Sequence, residues 1–320
     1  MKKIFMRDIS SMPFAEALEK FINFKTAMNR AKHTIKYYKE RGNYFFEFLK
    51  SEKGIELTNE ITDEHVTAYI LFKREQNPNI ADNTINTLLR AVRAILYYFM
   101  EKGYTEPFHI PLIFAKKTPK EGYSQADQQK LIKKPNIKKC SFPEYRNWVM
   151  VCHFLASANR SKTIRYIRNF NVKLDERIIA LDEVKNNEGY EMPISDEYYP
   201  ILSEYMKIRG GEPDDFLFCT QFGKQISKSG LKSIMYKHNK KHDVDITSIH
   251  RFRHTFAKNW LLEGGSKEKL QHALGQKNPA MVDEYARLYG RELREEFSQY
   301  TPLAKLKKEI SENKKISMKK

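Results

Sequence analysis

The chain has 320 residues, 41% of them hydrophobic, with 20 Phe and 18 Tyr, enough apolar side chain for two ordinary domain cores. Lysine and arginine number 57 against 40 acidic residues, and a net charge of +17 predicts a polyanionic partner, because basic groups that neutralise phosphates release counterions. The composition argues against membrane and disulfide-stapled classes: no apolar run approaches the roughly 18 residues of a spanning helix, no lipidation motif appears, and Cys140, Cys152 and Cys219 are too widely spaced for a disulfide framework or a metal knuckle.

The opening MKKIFMRDISSM lacks the apolar middle of a signal peptide, so the expected location is cytoplasmic and, with a DNA partner, nucleoid-associated. Residues 10–105 are expected to form a first domain of four helices. Thr34 to Leu49 places Ile35, Tyr38, Phe45 and Leu49 at helical spacing, and Thr62 is placed to cap a helix through Val66, Tyr69, Ile70 and Phe72. Asn83 to Met100 carries the stripe Ile85, Leu88, Leu89, Val92, Ile95, Leu96 and Phe99. Its other face bears Arg90 and Arg93, which are candidate DNA contacts or members of a solvated face. This domain shows no clustered carboxylates, convergent histidines or glycine loop. Periodicity is lost over residues 106–121, where Pro107, Pro111 and Pro119 alternate with Lys116, Lys117 and Lys120. That composition predicts an extended basic linker able to let two domains close around a duplex, with Lys116 and Lys117 as further DNA contacts.

A second domain is expected over residues 122–304. It opens with a buried helix from Trp148 to Ala158, followed by SANRSKTIRYIRNF. Arg160 has Lys162, Arg165 and Arg168 for neighbours, and composition does not choose among them. The alternation from Val172 to Ser195 predicts a three-stranded antiparallel sheet whose second turn is Asn186-Asn187-Glu188-Gly189. Lys185 enters that turn, where a lysine is by default exposed. His238 and His242 lie four apart, but Asn239-Lys240-Lys241 between them supplies no carboxylate and repels a cation, so no metal site is expected. From Ile246 to Leu288 the pattern predicts three short helices in series. The first carries His250, Arg253 and His254 on one face and ends at Gly264-Gly265. Ser266 caps the second, which stops near Gly275; Asn278-Pro279 starts the third, which bears Tyr285. A helical stretch from Glu292 to Tyr300 and a basic tail over residues 305–320 complete the chain.

The series His250-x-x-Arg253-His254, Leu274-Gly275-Gln276 and then Tyr285 resembles the tyrosine recombinase (phage-type integrase) family. That family has His-x-x-Arg-His, then Leu-Gly followed by His or Trp, and a nucleophilic Tyr nine residues further on; here Gln276 stands in the His or Trp position. The stretches HTIKYYKERGNYFFEFL and NTINTLLRAVRAILYYFMEKG resemble the same family's N-terminal domain. The resemblance implies a mainly α fold with a small antiparallel β-sheet: an N-terminal four-helix DNA-clamping domain and a C-terminal α+β catalytic domain. It selects Arg160, at the place of the Thr-Gly-x-Arg arginine, although Ala158 and Asn159 fill the Gly-x positions and Thr163 replaces an acidic residue. It implies that Lys185 enters the DNA minor groove, that His250, Arg253, Gln276 and Tyr285 complete the catalytic set, and that His254 supports it.

The implied chemistry is cleavage and rejoining of DNA through a 3′-phosphotyrosine, for integration, excision or resolution. It needs no cofactor, since the ester stores the bond energy, and the sequence has no paired acidic motif for two metal ions. The implied assembly is a homotetramer on two DNA sites, joined by exchange of a C-terminal helix for which Phe297, Tyr300 and Leu303 are candidate anchors. The chain before Pro13 is shorter than the extra N-terminal arm-binding domain of larger phage integrases, which favours a simpler two-domain recombinase. Type IB topoisomerases share the chemistry but act as monomers. Two other classes stand beside the enzyme: a catalytically weakened relative that binds specific DNA, and a basic helical regulator in which Tyr285 is core.

Overall fold

The longest apolar stripe becomes the centre of the first of two compact units, Met1–Thr118 and Pro119–Lys320. The computed structural model describes residues 10–115, 122–181, 189–275, 282–283 and 285. In the first unit, α1 (Phe14–Ala27), α2 (Lys32–Lys53), α3 (Asp63–Gln76) and α4 (Asp82–Glu101) surround one core. All seven stripe residues of α4 are buried, against Phe14, Phe21, Phe45 and Tyr69 from the other helices. Such a stripe, three to four residues per two turns, gives a helix a face that must be covered. Helix α2 runs past the expected end at Leu49 to Lys53 and stops at Gly54, whose φ of 68° is left-handed. Helix α3 starts after Thr62, whose backbone N–H donates to His65 Nδ1 at 3.0 Å, a local way to satisfy an end-of-helix donor.

The second unit is built on α6 (Phe142–Ser157), preceded by the short α5 (Gln125–Leu131). Tyr145, Trp148, Val149, Met150, Val151, Cys152 and Phe154 are all buried, so α6 is the spine of this core. It begins six residues before the expected Trp148, because Ser141 takes the N-cap position and Pro143 sits in the first turn, where its missing N–H costs nothing. After α7 (Ser161–Ile164) come three antiparallel strands in the order β1 (Val172–Lys173), β2 (Ile178–Leu181), β3 (Tyr190–Pro193). The register pairs Ile179 with Met192 and Leu181 with Tyr190, so these four side chains share the face turned to the core. Lys185 and the turn residues Asn186, Asn187 and Glu188 lie outside the described residues. Helices α8 (Tyr198–Arg209) and α9 (Lys228–Lys241) then lead to α10 (Ile249–Leu262), which packs on α6.

The end of α10 follows the expected glycine pair. Gly264 takes φ 77°, and Gly265 lies under the Trp260 indole, where an added Cβ would meet Nε1 at 2.3 Å. Ser266 Oγ then accepts from Lys269 N at 3.2 Å and starts α11 (Lys267–Ala273). Ala158, Ala257, Leu270, Leu274, Val282 and Tyr285 form a small second core that joins the ends of α6, α10 and α11. Among the described residues no helix is long and apolar enough to cross a membrane.

Candidate active site

Arg253 sits on the buried side of α10, 8% exposed, and its guanidinium forks between two helix ends. Nη1 donates to Ala158 O at 2.9 Å, just past α6, and Nη2 donates to Leu274 O at 2.7 Å, just past α11. Carbonyls at helix C-termini lack intrahelical donors and carry the negative end of the helix dipole, so both welcome a cation. Arg160, the N-cap residue of α7, is half-buried and donates Nη1 to Gly275 O at 3.2 Å. The Leu274–Gly275 turn thus receives one arginine on each of two consecutive carbonyls. Gly275 closes α11 with φ 54°, a conformation that a side chain would strain.

Burial pushes Arg253 down to about 10, and the like charge of Arg160 pushes the same way; Tyr285 and Tyr190 pull it back up. Arg253 stays a cation at neutral pH, so two like-charged guanidiniums stand together. Such a pair favours an anion, and planar forks match phosphate geometry.

Tyr285 is 3% exposed in the small core, with its ring centroid 5.4 Å from that of half-buried His254. Tyr285 lies close enough to Arg253 to favour the charged guanidinium. One turn before Arg253, His250 is exposed and opens on a cleft shared with Ser161, Lys228, Lys232 and Tyr236. The structure therefore brings Arg160, Arg253, His254 and Tyr285 together and leaves His250 at the rim. Lys185 and Gln276 lie outside the described residues, as do Lys116 and Lys117, the stretch from Glu292 to Tyr300, Leu303 and the tail over residues 305–320. In the first unit Arg90 is exposed, while Arg93 is half-buried with its guanidinium 5.1 Å from the Tyr97 ring centre.

Three further residues reach this site without having been singled out by their spacing. Tyr190 donates its hydroxyl to Asn159 Oδ1, and Asn159 Nδ2 lies 3.1 Å from His153 Nε2. Tyr190 stands two residues from Met192 on β3, so the pleat puts both on one face. For His153, its place as a polar residue within the apolar run of α6 signals burial and names no partner.

The same architecture recurs in solved recombination proteins. The structure of the Tn1549 transposon integrase in complex with a circular intermediate DNA superposes with a TM-score of 0.70 at 18% identity, over 86% of this chain and 95% of that one. A lambda integrase dimer bound to a COC′ core site gives 0.68 at 14% identity, over 88% and 97%. In sequence, the phage integrase family matches residues 124–292, more than half the chain. The protein belongs to that family. It is similar to tyrosine recombinase XerC of Oceanobacillus iheyensis, 22% identical over 293 residues covering 86% of this chain and 92% of the relative. Tyrosine recombinase XerD of Listeria monocytogenes is 21% identical over 309 residues, covering 90% and 99%.

Proposed function

We propose that this protein is a site-specific DNA recombinase that cleaves and rejoins duplex DNA through a 3′-phosphotyrosine intermediate, in integration, excision or resolution. The observation that carries the reading is the placing of Arg253 and Arg160 on the consecutive carbonyls of Leu274 and Gly275, with Tyr285 in the small core that Leu274 and Ala158 also line: the two arginines make an anion seat, and a phenol stands near it. A scissile phosphate enters that seat between the two guanidiniums. The Tyr285 oxygen then attacks phosphorus in line, and the bond to the 5′-oxygen breaks. Arg160 and Arg253 hold the non-bridging oxygens as charge builds on them. His250 takes the tyrosyl proton, Lys185 protonates the departing 5′-oxygen, and Gln276 donates to a non-bridging oxygen. A free 5′-hydroxyl from the partner strand reverses the steps, so no cofactor enters the balance.

Arg90, Arg93, Lys116 and Lys117 bind backbone phosphates in this reading, and the N-terminal helices clamp the duplex around which the linker lets the chain close. Four protomers assemble on two sites through exchange of a C-terminal helix, and the protein works on cytoplasmic, nucleoid DNA. The integrases of similar fold were solved on DNA, one of them as a lambda integrase tetramer bound to a Holliday junction, which supports the DNA partner and the tetramer.

A second reading, a weakened relative that only binds DNA, is favoured by Gln276 in place of the family's His or Trp. The test is a nicked duplex carrying any inverted repeat found beside the gene, in the presence of a chelator. The parent is expected to leave a denaturant-resistant adduct, while Tyr285→Phe binds equally and leaves none. If the parent leaves no adduct and Gln276→His does, the second reading replaces the first.

A further inference from the structure

The loop that delivers Arg160 is built differently from what the family motif leads one to expect. The turn after α6 is made by Ala158, a non-glycine residue in the left-handed region at φ 52° and fully buried. Thr163 stands where a supporting acid would be. Something else must fix the next residue but one, because a guanidinium that wanders cannot meet a phosphate at the required angle.

Asn159 is that support in outline. It is 3% exposed and fully engaged: Oδ1 accepts from the Tyr190 hydroxyl, Nδ2 lies 3.1 Å from His153 Nε2, and the same Nδ2 lies 3.1 Å from Met192 Sδ. An amide nitrogen can only donate, so His153 Nε2 is an acceptor and the ring proton sits on Nδ1, which donates to Tyr198 Oη at 3.0 Å. Burial holds His153 neutral, at about 3, in keeping with that assignment. Burial also raises Tyr190 to about 12 against the pull of Arg253 and Arg160, so its hydroxyl stays protonated and donating. The other side of Tyr190 faces the second anchor of Arg160: a Cβ on Gly275 would stand 3.5 Å from Tyr190 Cε1 and 3.7 Å from Arg160 Nη1.

We propose that the Tyr190–Asn159 hydrogen bond is a latch that positions Arg160 for strand cleavage. Tyr190 braces the residue before Arg160 with its hydroxyl and packs beside the turn whose carbonyl receives the guanidinium. Asn159 and Tyr190 are thus positioning residues that act through Arg160. The inference rests on the recombinase reading and adds to it a tie between the arginine loop and the last strand of the sheet.

Tyr190→Phe keeps the ring and removes the donor. Single-turnover cleavage of ordinary DNA is expected to fall by about tenfold or more, with the dissociation constant for DNA changed less than about twofold. A latch that works through Arg160 has a second signature. On DNA whose scissile phosphate carries a methyl group in place of one non-bridging oxygen, less charge needs a guanidinium, and the Tyr190→Phe deficit should shrink to about threefold or less. Arg160→Ala should show the same selective rescue, and Asn159→Leu should reproduce the Tyr190→Phe pattern, with melting curves confirming the fold of each. Parent-like cleavage by Tyr190→Phe overturns the latch, and so does an equal deficit on both substrates. A parent that leaves no adduct on either substrate overturns the recombinase reading, and the latch with it.

Discussion

Arg253 surrenders most of its hydration and recovers it through two carbonyls. A buried cation is stable only when its donors are satisfied, and removing its fork strands acceptors that water does not reach. Arg253→Lys keeps the charge but offers no planar fork, so one of Ala158 O and Leu274 O loses its donor. The expected cost is about 1–3 kcal/mol of unfolding free energy, read from urea titrations with an unchanged slope. Cleavage should fall by about 10²- to 10³-fold, as when one donor to a developing oxyanion is lost. Motif spacing names Arg253, His250, His254 and Tyr285, and the structure brings Arg253, His254 and Tyr285 together. What Arg253 holds was not legible, since Ala158 O and Leu274 O lie 95 and 21 residues away along the chain and backbone acceptors leave no mark in sequence. Asn159 was visible as a departure from Gly-x; its work became visible once folding brought Tyr190 to it.

Helices with strong local signals were read closely, and those with signals at their margins were not. Helix α4 differs from its expected span by one residue at each end, because its stripe runs the full length. Helix α6 gained six residues upstream, where Phe142 and Pro143 look like a break unless Pro143 is placed in the first turn. The three antiparallel strands fall within the alternation from Val172 to Ser195, while their register came from the structure. Helix α11 is short, so its cap carries a large share of its stability. Ser266→Ala removes the acceptor for Lys269 N and is expected to cost about 1 kcal/mol. The change should reach the site too, because α11 ends in the carbonyls that hold Arg253 and Arg160. Cleavage should therefore fall while affinity for DNA, set mainly by basic surfaces elsewhere, stays near that of the parent; equal loss of both would show that α11 unfolds outright.

For the whole molecule, charge and buried histidines set the conditions of use. A net charge of +17 predicts that binding weakens steeply with salt, by about 10³-fold or more between roughly 50 and 200 mM if six or more phosphates are neutralised. A flat titration would remove the phosphate clamp from the account. Burial lowers His153 from 6.5 to about 3 and His238 from 6.5 to about 4. Above 6.5 both states of the chain leave these rings neutral; below it the unfolded chain takes up protons that the folded chain refuses. Stability should therefore fall as pH drops from 6.5 towards 4, by about 1.4 kcal/mol per pH unit for each ring, and His238→Gln should make the decline shallower. The central claim concerns one oxygen atom, and digestion of the trapped protein–DNA adduct followed by mass spectrometry of the linked peptide tests it most directly. A nucleotide esterified to Tyr285 is the expected result; attachment at any other tyrosine, or a parent that traps no DNA while still binding it, would contradict it.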